Sequence, residues 1–335
     1  MPAPLQLVQL RHPDEGRAVA LVDGSRLVLC DGPSSVHALA WQACEQGISL
    51  AGAAALHAGS RTADYDEVYD GRSAWRLLSP VDHPSTPSRM LISGTGLSHM
   101  KSAQTRDSMH TGAVTVTDSM KMYQWGVEGG KPAEGQVGSA PEWFFKGDGN
   151  FVRALNEPLD TPEFAGDGGD EAEIAGVYLI DPGGKPRRLG FTAGNEFSDH
   201  EFERRNYLYL AHSKLRTCAL GPELVNNGPF DSVQGHVAIH RGGAVLWERS
   251  FLTGEKNMCH SLANMEHHHF KYEQHRRPGD VHVHFFGAAA FSSADGVNVQ
   301  DGDVMEVSFE GYGRPLRNPV RVAPGAERLV TVTPL

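Results

Sequence analysis

The stretch Glu171-Ala172-Glu173-Ile174-Ala175-Gly176-Val177-Tyr178-Leu179-Ile180, with the turn Asp181-Pro182-Gly183-Gly184 and the second apolar run Leu189 to Ala193 leading to Asn195-Glu196, decides how this chain is read. In a strand, residues i and i+2 share a face, so Glu171 and Glu173 point the same way. Proline and two glycines after Asp181 signal a turn. If the two runs pair as a hairpin, Glu196 returns beside the first two glutamates. Three crowded carboxylates repel unless a cation sits among them. An all-oxygen donor set suits Mg²⁺, Mn²⁺ or Ca²⁺ better than zinc. Lys214 follows in His-Ser-Lys-Leu-Arg, and Leu220-Gly221-Pro222 closes the stretch.

Taken alone, Glu-x-Glu is ordinary for an exposed strand. The order of the whole stretch is more specific. Glu-x-Glu, then Gly190-Phe191-Thr192-x-x-Asn195-Glu196-x-Ser198, then Lys214, then Leu220-Gly221-Pro222 resembles the metal-site core of the fumarylacetoacetate hydrolase superfamily. Thr95-Gly96-Leu97-Ser98-His99 stands where members carry Asn-Tyr-x-x-His, so His99 matches their histidine. Among the hydrolases a Glu often follows three residues later; here that position is Ser102. Trp143-Phe144-Phe145-Lys146-Gly147 resembles the family's Phe-x-Lys strand, which makes Lys146 a candidate substrate-side cation. Gly279-Asp280-Val281 resembles its Gly-Asp-Val-Ile strand, but His284-Phe285-Phe286-Gly287 replaces the Thr-Gly-Thr-Pro that helps hold substrate, placing Phe286 at a candidate substrate position. The likeness runs from about Pro80 to the C-terminus.

Composition sets limits. The 335 residues carry a net charge of −11, which argues against a nucleic-acid partner, since that needs a basic stripe. No apolar run is long enough to span a membrane. Cys30, Cys44, Cys218 and Cys259 have no C-x-x-C spacing, so neither a zinc knuckle nor a disulfide framework is expected. The first residues show no basic-then-apolar leader, and a reducing cytoplasm is the default location. Glycine and proline abundance points to many turns and a strand-rich fold.

Before Pro80, two apolar runs flank Asp23-Gly24, a hairpin signal, and Pro33-Ser34-Ser35 opens a helix. The reading is α+β: a small N-terminal α+β domain over 1–79, then a mixed β-roll or β-sandwich catalytic domain over 80–335. Residues 100–141 lack a period and read as a lid. His267 to His269 cannot share a helix face and are not expected as ligands. His282 and His284 share a strand face but lack a third ligand nearby.

The resemblance implies a site in which Glu171, Glu173 and Glu196 hold Mg²⁺ or Mn²⁺ and a 2-keto sugar acid chelates the ion. Lys214 and His99 are the candidate catalytic groups, with Lys214 desolvated and its pKa lowered; Lys146, Lys214 and Phe286 are the candidate substrate contacts. The expected activity is a hydro-lyase one, dehydration of 2-keto-3-deoxypentonate to 2,5-dioxopentanoate in sugar-acid catabolism. The alternatives are hydrolytic C–C cleavage of a 2,4-diketo-3-deoxy sugar acid, with Glu201 or Glu203 as base, and a non-catalytic sugar-acid binder. A homodimer is expected from the resemblance.

Overall fold

The computed structural model describes residues 4–110 and 117–335. The expected hairpin is present and is the spine of the molecule. Strand Ala172–Ile180 pairs antiparallel with Pro186–Asn195, Ala172 facing Asn195 and Glu173 facing Gly194. Every residue of Ala172–Ile180 is buried, so this strand has protein on both faces. Its other edge pairs with Val281–Phe285, which runs parallel to Met90–Gly94, which in turn pairs with Phe144–Asp148. On the far side, Pro186–Asn195 meets Leu224–Asn226, and that strand pairs with Leu5–His12. Gly16–Asp23, Arg26–Cys30 and Ala58–Asp64 complete the row. The strands before Pro80 therefore extend the same sheet that carries the Glu-x-Glu strand.

A second sheet of five strands runs Ala244–Thr253, Val233–Arg241, Val304–Phe309, Leu316–Val322, Leu159–Thr161. The two sheets enclose a core in which Ile174, Phe191, Ala193 and Val225 of the first meet Val237, Val307 and Phe309 of the second. On the opposite face, helices Val36–Gln46 and Leu50–His57 place Val36, Leu39, Ala53 and Ala54 against Val177, Leu179, Val281 and Val283. Ser35 caps the first helix by accepting from the Ala38 N–H, and Gly47 ends it in the left-handed conformation, as the sequence signals require. The α+β class and the mixed sheet architecture are thus as expected.

One stretch differs from its reading. The segment 100–141, expected without regular structure, contains helices Met100–His110 and Asp118–Gly129. Thr117 caps the second by accepting from the Met120 N–H, and Asp118 complements its N-terminal dipole. These helices lie over the surface and bury little, so no apolar stripe marks them in the sequence. Residues 111–116 of the predicted lid lie outside the described residues.

The histidines form a buried group that the spacing did not reveal. His269 lies in the last turn of the helix Leu262–Phe270, and its ring packs within 5.0 Å (centroid to centroid) of His275, His282 and His284. Burial is the main force that disfavours the charged forms of His269, His282 and His284, and repulsion from neighbouring histidines adds to it. It pushes His282 and His284 down to about 3, and His269 lower still. In the unfolded chain each returns to roughly 6.5. Below that pH the unfolded state binds protons that the native state refuses, so their stabilising contribution is complete above about pH 6.5 and drains as pH falls toward 3. Each histidine contributes a slope of about 1.4 kcal/mol per pH unit in that window. Denaturant unfolding at about pH 7.5 and about pH 5.5 should show a loss of several kcal/mol, and His284→Gln should lose about 1.4 kcal/mol less between the two. Equal losses in the two proteins would contradict the neutral-histidine account.

Candidate metal centre and active-site cleft

The hairpin register places the three glutamates. Glu171 stands just before one strand and Glu196 just after its partner, and the Glu196 N–H donates to the Glu171 carbonyl at 2.9 Å. The Asn195 side-chain oxygen accepts from the Glu171 N–H at 3.0 Å. One carboxylate oxygen from each of Glu171, Glu173 and Glu196 lies within 4.8 Å of the other two, and all three residues are buried. Among the described residues no other group of three or more His, Cys, Asp and Glu side chains converges this way.

Their partners are unequal. Glu171 Oε1 accepts from Lys214 Nζ at 2.6 Å and pairs with His200 Nε2 at 3.0 Å. Burial alone would raise its pKa, but these two cations hold it well below the usual carboxylate range. Glu196 Oε2 accepts from Lys214 at 3.2 Å, and its Oε1 lies 3.5 Å from Lys146 Nζ with no hydrogen-bond partner. Burial, with Glu171 adding repulsion, pushes it up to about 7. Glu173 is worst placed. Its Oε2 accepts from the Gly287 N–H at 2.6 Å, and its Oε1 has no partner at all. Burial first, then Glu196 and Glu171, raise it well above the ordinary value. Two buried, unpartnered oxygens on neighbouring carboxylates are the signature of a position for a cation. An all-carboxylate set fits Mg²⁺ or Mn²⁺.

Gly287 permits the Glu173 contact. Its φ is +97°, and an added Cβ would collide with Ser98 Oγ and lie 3.0 Å from the Thr95 carbonyl. Any other residue would push the Gly287 amide away from Glu173.

The triad opens into a cleft lined by Thr95, Gly96, Ser102, Phe144, Glu203 and Lys214, with Thr105, His200, Gly287, Ala288, Phe291 and Ser293 around them. The space between these residues, counted out to solvent, is about 440 Å³. Ser102 and Thr105 bring helix Met100–His110 into its lining.

Lys214, at the end of the short helix Leu210–Ser213, is where the sequence reading needs it. Its expected lowered pKa is corrected. Burial does act to lower it, but Glu171, Glu196 and Glu203 outweigh burial and hold the ammonium protonated. Lys214 stands in the cleft as a positive charge.

Three further expectations are corrected by position. His99 is buried outside the cleft lining, with Nδ1 bonded to Ser98 Oγ at 3.0 Å and Nε2 to Thr253 Oγ1 at 3.0 Å. The Ser98 hydroxyl donates to the Phe286 carbonyl at 2.6 Å, so His99 is a structural tie, and burial lowers its pKa to about 4. Lys146 also misses the cleft wall. It lies behind Glu196, donating to the Phe197 carbonyl, and burial lowers it to about 8 against the pull of Glu196. Phe286 turns into the intersheet core, its ring 4.9 Å from that of Phe230 and 6.3 Å from that of Phe191. Only its successors Gly287 and Ala288 reach the cleft.

The structure adds His200 to the expected residues and places Glu203, expected only as an alternative hydrolytic base, in the cleft wall. His200 opens the helix His200–Arg205, which Asp199 caps by accepting from the Phe202 N–H. Its Nε2 pairs with Glu171 and its Nδ1 with Ser293 Oγ at 2.8 Å. Glu203, one turn on, lines the cleft as a fourth carboxylate. His200 and Glu203 have the His-x-x-Glu spacing that was sought at His99 and Ser102; that repeat of the spacing was the available signal.

No family model matches the chain. A curated relative from Haloferax volcanii, named a probable 2-keto-3-deoxyxylonate dehydratase, is 27% identical over 133 residues. That match spans 37% of this chain and 43% of the relative, less than half of its length. A solved structure of 2-keto-3-deoxyarabinonate dehydratase superposes with a TM-score of 0.72 at 20% identity, covering 96% of this chain and 100% of that one. The 2-keto-3-deoxy-D-arabinonate dehydratase complexed with magnesium and 2,5-dioxopentanoate gives 0.71 at 20% identity, with the same coverage. The 5-carboxymethyl-2-hydroxymuconate delta-isomerase from Mycobacterium smegmatis gives 0.55 at 17% identity, covering 95% of this chain and 100% of that one. The fold of this chain is therefore the one that 2-keto-3-deoxyarabinonate dehydratase also has.

Proposed function

We propose that this protein is a divalent-metal-dependent dehydratase of a 2-keto-3-deoxy sugar acid, converting 2-keto-3-deoxypentonate to 2,5-dioxopentanoate. The observation that carries the reading is the buried triad Glu171, Glu173 and Glu196, with its two unpartnered oxygens and Lys214 beside it in a closed cleft. The names of its relatives support the substrate class: one is a probable 2-keto-3-deoxyxylonate dehydratase, and a structural neighbour was solved with magnesium and 2,5-dioxopentanoate. The dehydratases also superpose better than the isomerase, 0.72 against 0.55.

In this reading the three glutamates hold Mg²⁺ or Mn²⁺, which when bound supplies Lewis-acid stabilisation of negative charge at the C2 carbonyl. Lys214 adds a fixed positive charge where that charge develops. Glu203 takes the proton from C3, the role that buried His99 cannot fill. The C4–OH bond breaks, the hydroxyl leaves as water with one added proton, and a C3–C4 double bond forms. Loss of a proton from C5 and its return at C3 gives the enol of the C5 aldehyde, which tautomerises. Hydrolysis would need a base aimed at water. The histidine in the cleft wall, His200, has both ring nitrogens engaged, by Glu171 and Ser293, so it is not that base, and Glu203 is the carboxylate left for either reaction. The homodimer and the cytoplasmic location stay part of this proposal; light scattering of the purified chain would decide the first. No helix among the described residues is long and apolar enough to cross a membrane.

Glu173→Gln relieves the repulsion at the triad and removes a ligand. Without divalent ion it should melt at or above the wild-type temperature. With Mg²⁺ at a hundred times its Kd, the wild type should gain about 2.7 kcal/mol and the variant nothing. Equal Mg²⁺ stabilisation of both proteins would remove Glu173 from the metal centre.

The reaction is tested by giving the protein and Mg²⁺ 2-keto-3-deoxypentonate in one vessel and its 4-keto derivative in another. 2,5-Dioxopentanoate should form in the first and no pyruvate in the second. Pyruvate without dioxopentanoate would establish the hydrolase instead, and no product in either would leave a binding protein. Glu203→Gln should slow dehydration at least about 100-fold while keeping the Mg²⁺ stabilisation; unchanged turnover would exclude Glu203 as the base.

A further inference from the structure

A chain of buried hydrogen bonds runs from the surface tryptophan Trp143 through the histidine group to the cleft wall, and its polarity can be worked out link by link. An indole N–H only donates. Trp143 donates to His269 Nδ1 at 3.1 Å. A neutral imidazole has one N–H, so His269 carries its hydrogen on Nε2 and donates to His282 Nδ1 at 2.9 Å. The Ser93 hydroxyl then has two acceptors to choose from. His284 Nδ1 is 2.9 Å away, and His269 Nδ1 is 3.5 Å away with its lone pair already given to Trp143. Ser93 therefore donates to His284. That fixes the His284 hydrogen on Nε2, which donates to Thr95 Oγ1 at 2.8 Å. A protonated His284 would donate to Thr95 as well, so the direction of this last bond does not depend on the charge of the ring.

Thr95 ends the chain as an acceptor and still owns one hydroxyl hydrogen. Among the described residues its Oγ1 has no other hydrogen-bond partner. Thr95 is buried, lines the cleft, and stands beside Gly287, whose amide holds Glu173. A buried hydroxyl that has spent its acceptor role on a histidine is selective: it favours a ligand atom with lone pairs and disfavours one that carries hydrogen.

Resting on the proposed function, we propose that Thr95 is a one-way hydrogen-bond donor to a carboxylate oxygen of the bound 2-keto acid at the Glu173 end of the triad, with Ser93 and His284 as the positioning residues that fix its direction. In the sequence Thr95 stands only as a departure from the Asn of the resembled pattern. The arrangement gives the cleft a second contact for the acid, independent of the ion and stronger to a charged carboxylate oxygen than to a neutral one.

The test measures pyruvate binding by calorimetry with saturating Mg²⁺, in the wild type, Thr95→Ser, Thr95→Val and Ser93→Ala. Thr95→Ser should bind within about threefold of the wild type, and Thr95→Val at least about tenfold more weakly, since one hydrogen bond to a charged group is lost. Ser93→Ala should also weaken binding, because His284 is then free to carry its hydrogen on Nδ1 and to take the Thr95 hydrogen itself. Nitrogen NMR of histidine-labelled protein reads this directly: His284 should be protonated at Nε2 in the wild type and shift toward Nδ1 in Ser93→Ala, a change that loss of packing alone would not produce. Pyruvate binding by the wild type with no loss in Thr95→Val would overturn this inference and leave the proposed function standing. Absence of binding by the wild type would overturn the proposed function and the ligand assigned to Thr95 with it. If Thr95→Val does not fold, the wild-type NMR spectrum still decides, because His284 protonated at Nδ1 would overturn the polarity.

Discussion

Three carboxylates crowded into one buried place are the constraint around which the rest of this molecule is arranged. Glu171, Glu173 and Glu196 cannot be there by hydrophobic logic, and repulsion among them opposes folding. Two of the three have cationic partners: Lys214 and His200 for Glu171, Lys214 and Lys146 for Glu196. Glu173 has only a backbone amide. The deficit is local and specific, and a divalent ion removes it without adding bulk. Such a centre asks for a rigid frame, and the strand Ala172–Ile180, hydrogen-bonded on both edges and buried on both faces, provides it.

The surroundings follow from the same constraint. Gly287 must lack a side chain so that its amide can approach Glu173. Lys214 must stay charged, and the carboxylates around it ensure that it does. The buried histidines are the converse case. With no carboxylate hydrogen-bonded to them, burial keeps His269, His282 and His284 neutral, and a neutral imidazole can pass the orientation of one hydrogen bond to the next. The acidic centre and the neutral relay meet at the junction of Thr95 and Gly287, where the ligand would lie.

Much of this was legible in the sequence because it depends on local periodicity. Alternation put Glu171 and Glu173 on one face, and the Asp-Pro-Gly-Gly turn with two apolar runs returned Glu196 to them. What was not legible depends on which way a whole segment faces. Alternation gives relative faces and not absolute ones, so nothing local said that His99 would turn inward to Thr253, or that Phe286 would join Phe191 and Phe230. Lys146 sits on the right strand but emerges behind Glu196. The two surface helices after Met100 escaped notice because they bury too little to impose a stripe. His200 is not marked by any motif of the resembled pattern, although it stands three residues before the candidate base Glu203, and the histidine group is invisible in the sequence because its members come from a helix, a turn and a strand that only the tertiary fold brings together.

The central claim is that the orphaned carboxylate oxygens exist to hold an ion. A crystal structure of the protein with Mg²⁺ and pyruvate tests it most directly. The account predicts one ion about 2.1 Å from an oxygen of each of Glu171, Glu173 and Glu196, with pyruvate completing its shell in the cleft. An ion bound elsewhere, or a triad still bridged by Lys214 alone with Mg²⁺ present in excess, would contradict it.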